Sequence, residues 1–189
     1  MRTRYVAAAV VVVLLVTGAA VLLFGRASST GGSKQAARSP TTQILEKAGA
    51  TPSKSAQMVC ESEAAGDIAS ALGVAPVQPL SPTWADHQYS CRYEYPDGAM
   101  TLSMKELSGR SETDAYFASL RRSLGQSERL TLGEGGFVTS NGSVVVRKDY
   151  KVLLVDTSGL PDEFGARLMA RSNVAVGVGV TVLGCWTGA

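Results

Sequence analysis

One histidine and three cysteines stand in 189 residues, and that scarcity limits the chemistry the chain can carry. Zinc sites need closely spaced pairs such as C-x-x-C or H-x-x-x-H, and none occurs. Redox catalysis built on C-x-x-C is missing for the same reason. G-x-S-x-G and S-x-x-K are absent, so the many serines lack a local activating partner. Aromatics make up 6% of the residues and charged residues 18%, below the usual quarter or so for the latter. Three cysteines are too few for a disulfide-dense miniprotein. No cofactor, metal or catalytic residue is implied, which points away from an enzyme.

What the chain does have is one long apolar run. Residues 5–24 read YVAAAVVVVLLVTGAAVLLF, without a charge. At about 1.5 Å per residue such a helix spans ~30 Å, the thickness of a bilayer's hydrocarbon core. Arg2 and Arg4 precede it, while Arg26, Lys34 and Arg38 follow. Positive flanks favour the cytoplasmic side, so the N-terminus is expected inside. Residues 1–26 therefore read as a cytoplasmic stub and uncleaved signal-anchor. The rest is expected outside the cytoplasm, giving a single-pass cell-membrane protein. The rival reading is a cleaved signal peptide, but those apolar regions run to about 7–15 residues and end in a small-residue site. Gly25-Arg26-Ala27 is a poor match. No cysteine follows the run for lipidation.

Charge divides along the chain. Residues 1–55 hold seven Lys/Arg and one acid, a net of +6; residues 56–189 hold eleven and fifteen, a net of −4. The basic character belongs to the membrane-proximal tail, which can rest near anionic lipid. An acidic head without a basic stripe argues against nucleic acid as a partner.

Residues 27–54, rich in Ser, Gly, Thr and Ala, read as a flexible linker. The folded domain is expected at 55–189, enough for one modest core. Ser55 is a candidate cap for a helix to Leu72, stopped by Gly73. A proline-rich loop follows. Residues 87–95 (HQYSCRYEY) alternate strictly, and with Met100, Leu102 and Met104 predict a hairpin over 87–106, turned by Pro96-Asp97-Gly98. Ser111-x-x-Asp114 reads as a capping box for a helix ending at Gly125. Strands follow at 136–139, 143–147 and 151–156, with Asn141-Gly142 as a hairpin signal. GEGG at 133–136 lacks the lysine and helix of a phosphate loop, so it reads as a loop before a strand. Residues 162–184 are expected as one helix, although the valines from 174 to 182 also alternate like a strand. The sum is an α+β domain with an antiparallel sheet of about five strands and three helices.

In an exported domain paired cysteines are structural by default. Cys60 on the first helix and Cys91 on the first strand are the expected pair, with Cys60–Cys185 as the alternative. Closing the loop would stabilise by about 3 kcal/mol on the chain-entropy model. The third cysteine then reads as an inert thiol. His87 and Cys91 share a strand face about 13 Å apart, too far for proton transfer. Glu61, Glu63 and Asp67 lie on one helix, as a dispersed carboxylate site could use, and read as solvated acids. Arg147, Lys148 and Lys151 read as solvated turn charges. Tyr89, Tyr93 and Tyr95, with Trp84 just before, leave two readings open. They form the core side of the sheet, or an exposed aromatic surface for a ligand or peptide.

The strings HQYSCRYEYPDGAMTLSMKEL, FVTSNGSVVVRKDYKVLLVDTSGLP and LGCWTG resemble an uncharacterised family of actinobacterial membrane-anchored or secreted proteins. A Cys-bearing helix, then ALG, then a Cys-bearing strand is similar to actinobacterial envelope lipoprotein-type domains of unknown function, some with a PsbP-type α/β sandwich. The resemblance implies localisation more than chemistry, and favours the helical C-terminus. This chain lacks the lipidated cysteine of the lipoprotein members. The expected function is a membrane-anchored, non-enzymatic binding or adaptor domain of the envelope, with an envelope protein as partner. The alternatives are a sensor or carrier of a small hydrophobic ligand, with a cavity between sheet and helices, and an enzyme with a dispersed site.

Overall fold

The computed structural model describes residues 47–186. The run at 5–24 expected to be a membrane anchor, and most of the expected linker, lie outside the described residues. Among the described residues no helix is long and apolar enough to cross a membrane.

The α+β class is as expected, with more elements. Helix α1 (Lys54–Gln57) leads through a 3-10 turn (Met58–Cys60) into α2 (Ser62–Leu72). Strands β1 (Thr83–Ala85), β2 (Gln88–Tyr95) and β3 (Gly98–Glu106) form a meander. Helix α3 (Arg110–Leu124) carries the chain to β4 (Glu128–Leu130), from which β5 (Gly136–Val138), β6 (Val144–Lys148) and β7 (Lys151–Asp156) return. The sheet is antiparallel, in the order β1-β2-β3-β7-β6-β5-β4. A small pair, β8 (Glu163–Phe164) with β9 (Met169–Ala170), precedes α4 (Arg171–Trp186). Among the described residues, seven strands thus replace about five in the main sheet, and four helices replace three.

The additions have local causes. β1 turns into β2 through Asp86 and His87, both at positive φ (50° and 56°). That is the backbone of a two-residue hairpin turn, made without the glycine that usually announces it. Asp149 and Tyr150 repeat the device between β6 and β7. The helix expected over 55–72 is interrupted, because Glu61 is extended (φ −74°, ψ 154°). The cap is Ser53, whose Oγ accepts from the Ala56 N–H at 3.2 Å, not Ser55. The box at Ser111 also shifts: α3 is capped by Gly109, and Glu112 accepts from the Ser108 N–H at 2.7 Å. That bond, with hydrogen bonding from the Ser108 side chain and a smaller contribution from the charge on Lys105, holds the Glu112 carboxyl below its ordinary range.

The single helix expected over 162–184 begins only at Arg171. Residues before it are held off the helical path by α2. The Ala166 N–H donates to the Leu72 carbonyl at 2.9 Å, closing the end of α2. Gly73 makes this approach, at φ 68° and with room for no side chain: a Cβ there would lie 2.6 Å from Ala166 Cβ.

Helices cover both sheet faces. On one face α2, the 3-10 turn and α4 bury Val59, Ile68, Leu72, Val174, Val178 and Val182 against Tyr93, Met100, Leu102, Met104, Val146 and Leu153. Each such side chain contributes roughly 1.5–3 kcal/mol when buried. On the other, α3 lays Tyr116, Phe117, Leu120 and Leu124 on Leu107, Phe137, Val145 and Val152. The folded region starts earlier than residue 55. The Ala48 N–H donates to the Leu107 carbonyl at 3.2 Å, so the last residues assigned to the linker already lie on the domain.

Candidate functional site

The cysteines pair as expected. Cys60 at the end of the 3-10 turn meets Cys91 on β2, with their Cα atoms 5.8 Å apart. The Tyr93 hydroxyl fixes the same turn by donating to the Val59 carbonyl at 2.7 Å. Cys185 is the free thiol. Burial, then the charges of Asp67 and Glu63, push its pKa up. A nucleophilic cysteine needs the opposite surroundings.

The four aromatic residues do not make one exposed surface. Tyr93 (0% exposed) and Tyr95 (4%) belong to the core, which corrects the groove reading for both. Burial raises the Tyr93 phenol far above its usual value, and Tyr95 to about 12. The Tyr95 ring stands edge-on to Phe164, centroids 4.9 Å apart. Tyr89 and Trp84 are half-buried partners across β1 and β2. Trp84 donates Nε1–H to the Ala50 carbonyl at 3.1 Å, and His87 Nδ1 lies 2.9 Å from the Gly49 carbonyl. These two side chains hold the incoming chain against the domain.

The turn cations differ from the expectation of solvated charges. Lys151 is buried, 2% exposed, opposite the equally buried Glu106 in the β3–β7 ladder. Glu106 Oε1 accepts from both the N–H and the hydroxyl of Ser53. Lys148 pairs with Asp149 and lies 5.0 Å from the Trp186 ring centre. Arg147 pairs with Asp114. Glu61 and Glu63 line a groove of about 570 Å³ with Lys54, Gln57 and Cys185. Among the described residues no cluster of His, Cys, Asp and Glu could hold a metal ion.

The sheet–helix layer is filled where a carrier would need room: Ile68, Tyr93, Met100, Leu102 and Val178 are all fully buried there. The surface feature that sequence reasoning missed is on the α3 side. A groove of about 280 Å³ runs between α3, β4 and the 133–136 loop, with Arg121, Arg129 and Arg147 on its walls and Phe117 and Phe137 beneath. The two rings meet edge-on at 5.2 Å, and the Arg147 guanidinium lies 5.3 Å from the Phe117 ring centre. The GEGG segment forms one rim. Its backbone is tied to β6 by the Glu134 N–H to the Arg147 carbonyl (2.9 Å) and the Arg147 N–H to the Gly135 carbonyl (3.0 Å). Gly133 permits this at φ 57°, since a Cβ would lie 2.7 Å from the Arg147 oxygen. The groove residues come from α3, β4, β5 and β6, so no local motif marks them.

No family model, no curated protein and no solved structure matches this chain.

Proposed function

We propose that this chain is a single-pass membrane protein whose folded domain lies outside the cytoplasm and acts by binding, as an accessory or adaptor of the cell envelope. The observation that carries the binding reading is how the chemically capable side chains are engaged. Cys60 and Cys91 are joined, His87 holds Gly49, Glu106 takes both donors of Ser53, and Cys185 faces Asp67 with its pKa raised. Groups that fix the fold in one arrangement are poorly placed to cycle through a reaction. The disulfide supports an oxidising compartment, and the uncharged run at 5–24 supports the anchor.

Two measurements on intact cells test this. A membrane-impermeant maleimide should label Cys60 and Cys91 only after reduction, and without lysis. Labelling of all three cysteines only after lysis, with no reductant, would place the domain in the cytoplasm. A photo-reactive amino acid in place of Arg122, at the end of α3, should give a discrete adduct with an envelope protein. Absence of any adduct from α3 positions argues the binding reading down.

A further inference from the structure

We propose that the groove between α3 and β4 binds an extended acidic peptide, its carboxylates seated on Arg121 and Arg129 and its apolar side chains resting on the half-buried Phe117, which Phe137 backs from the core. This rests on the binding reading above and names the ligand class.

The charge balance of the groove is the first argument. Arg147 is paired with Asp114, and Arg110 with Glu134 at 3.7 Å. The side chains of Arg121 and Arg129 make no ion pair or hydrogen bond among the described residues. Among the lining residues, three arginines (121, 129 and 147) against Glu134 leave a local net of +2, within a stretch (56–189) whose net is −4. Arg129 is the ladder partner of Phe137, so both project to the face that α3 covers. Arg121 approaches from the last turn of α3. Two exposed guanidiniums thus flank the half-buried Phe117 ring, an arrangement suited to a carboxylate carried on an apolar body.

A peptide fits better than a free small molecule. The volume of about 280 Å³ falls just under the ~300–1,000 Å³ that drug-sized ligands occupy. β4 ends the sheet order, so its outer edge has no strand partner among the described residues. An unpaired edge beside a pocket supplies main-chain hydrogen bonds to an extended chain, while the pocket takes alternate side chains. A carboxylate fits better than a phosphate. Glu134 on the rim, and Asp114 paired with the lining Arg147, repel a dianion more than a monoanion. The Arg147–Asp114 pair beside Phe117 already shows guanidinium, carboxylate and phenyl together. The chain's own N-terminal tail is the wrong sign, with a net of +6 over residues 1–55.

The test is a titration of the full-length protein, in detergent micelles, with a fluorescein-labelled peptide of alternating glutamate and phenylalanine. Anisotropy should report saturable binding. Replacing Arg121→Ala and Arg129→Ala together should weaken it about tenfold or more, since each removes a hydrogen bond to a charged group. A glutamine-for-glutamate peptide, and raising NaCl from about 50 to about 300 mM, should weaken it likewise. Both positions are exposed, so the thermal midpoint of the double variant should not move. No binding to wild type, or equal binding to the variant, overturns the proposal. Displacement by inorganic phosphate well beyond acetate at matched ionic strength reassigns the groove to phosphate and also overturns it. So does salt-sensitive self-association that the substitutions abolish, which would make the occupant a second copy. If the in-cell adduct at α3 persists while the peptide fails, only the ligand class falls; if the adduct fails too, the binding reading falls with it.

Discussion

On one side of the sheet, α2 and α4 bury a continuous layer against Tyr93, Met100, Leu102 and Met104, and a disulfide crosses the layer. On the other, α3 alone covers Phe137, Val145 and Val152, and its own Phe117, Leu120 and Leu124 stay half-buried. The first face carries most of the stability, because burial scales with area removed from water. The second is thin enough to leave Phe117 and the arginine walls around it within reach of solvent. One sheet thus separates holding the fold from presenting a surface.

The contrast breaks most visibly in paired core truncations. Leu102→Ala, at a fully buried site on the two-helix face, should cost about 2–5 kcal/mol. Leu120→Ala on α3 should cost roughly 1–2 kcal/mol, since the side chain is only partly buried. Urea midpoints of the full-length protein measure both, and equal costs would erase the difference between the faces. Next in size is the disulfide. Converting Cys60→Ser and Cys91→Ser together should remove about 3 kcal/mol, and a reductant should lower the wild-type midpoint equally. An unchanged midpoint would mean the bridge does not brace that face.

The smallest effect sharpens the comparison from the α3 side, where Asp156 lies near Leu124 and Leu154. Burial alone would raise its carboxyl. Hydrogen bonding from the Ser158 side chain, then from the Ser158 N–H (3.0 Å) and the Ser143 hydroxyl (3.1 Å), outweighs that and holds its pKa below the ordinary value. A depressed folded pKa contributes stability that is present above the unfolded value, near about pH 3.9, and is lost as pH falls through the folded one. Asp156→Asn should therefore flatten the acid limb of stability below about pH 4. A steeper limb in the variant would reverse the sign and sink this assignment.

Much of the sheet was readable because alternation is a local signal. The strands β2 and β3 follow the predicted hairpin over 87–106, and β5, β6 and β7 follow the three later runs. The disulfide was readable because two cysteines on neighbouring elements had few other partners. β1 and β4 are three residues each, too short to show a period. The Asp86–His87 turn hid because no glycine marked its positive φ. Residues 162–170 carry apolar spacing that suits a helix, yet the Leu72 carbonyl takes the Ala166 N–H and diverts them. The arginine groove was not readable at all. Arg147 looked like a turn charge until β6 set it beside Phe117 and Asp114.

The sequence alone determined the periodicities, the charge contrast between tail and domain, and the uncharged run at 5–24, since each is a property of neighbours along the chain. Tertiary structure decided where helices stop, which tyrosines are buried, how Lys151 and Glu106 come to lie opposite each other inside, and which arginines converge on Phe117 and Phe137. Those outcomes depend on hydrogen bonds and packing between segments tens of residues apart, and such contacts exist only once the sheet has brought them together.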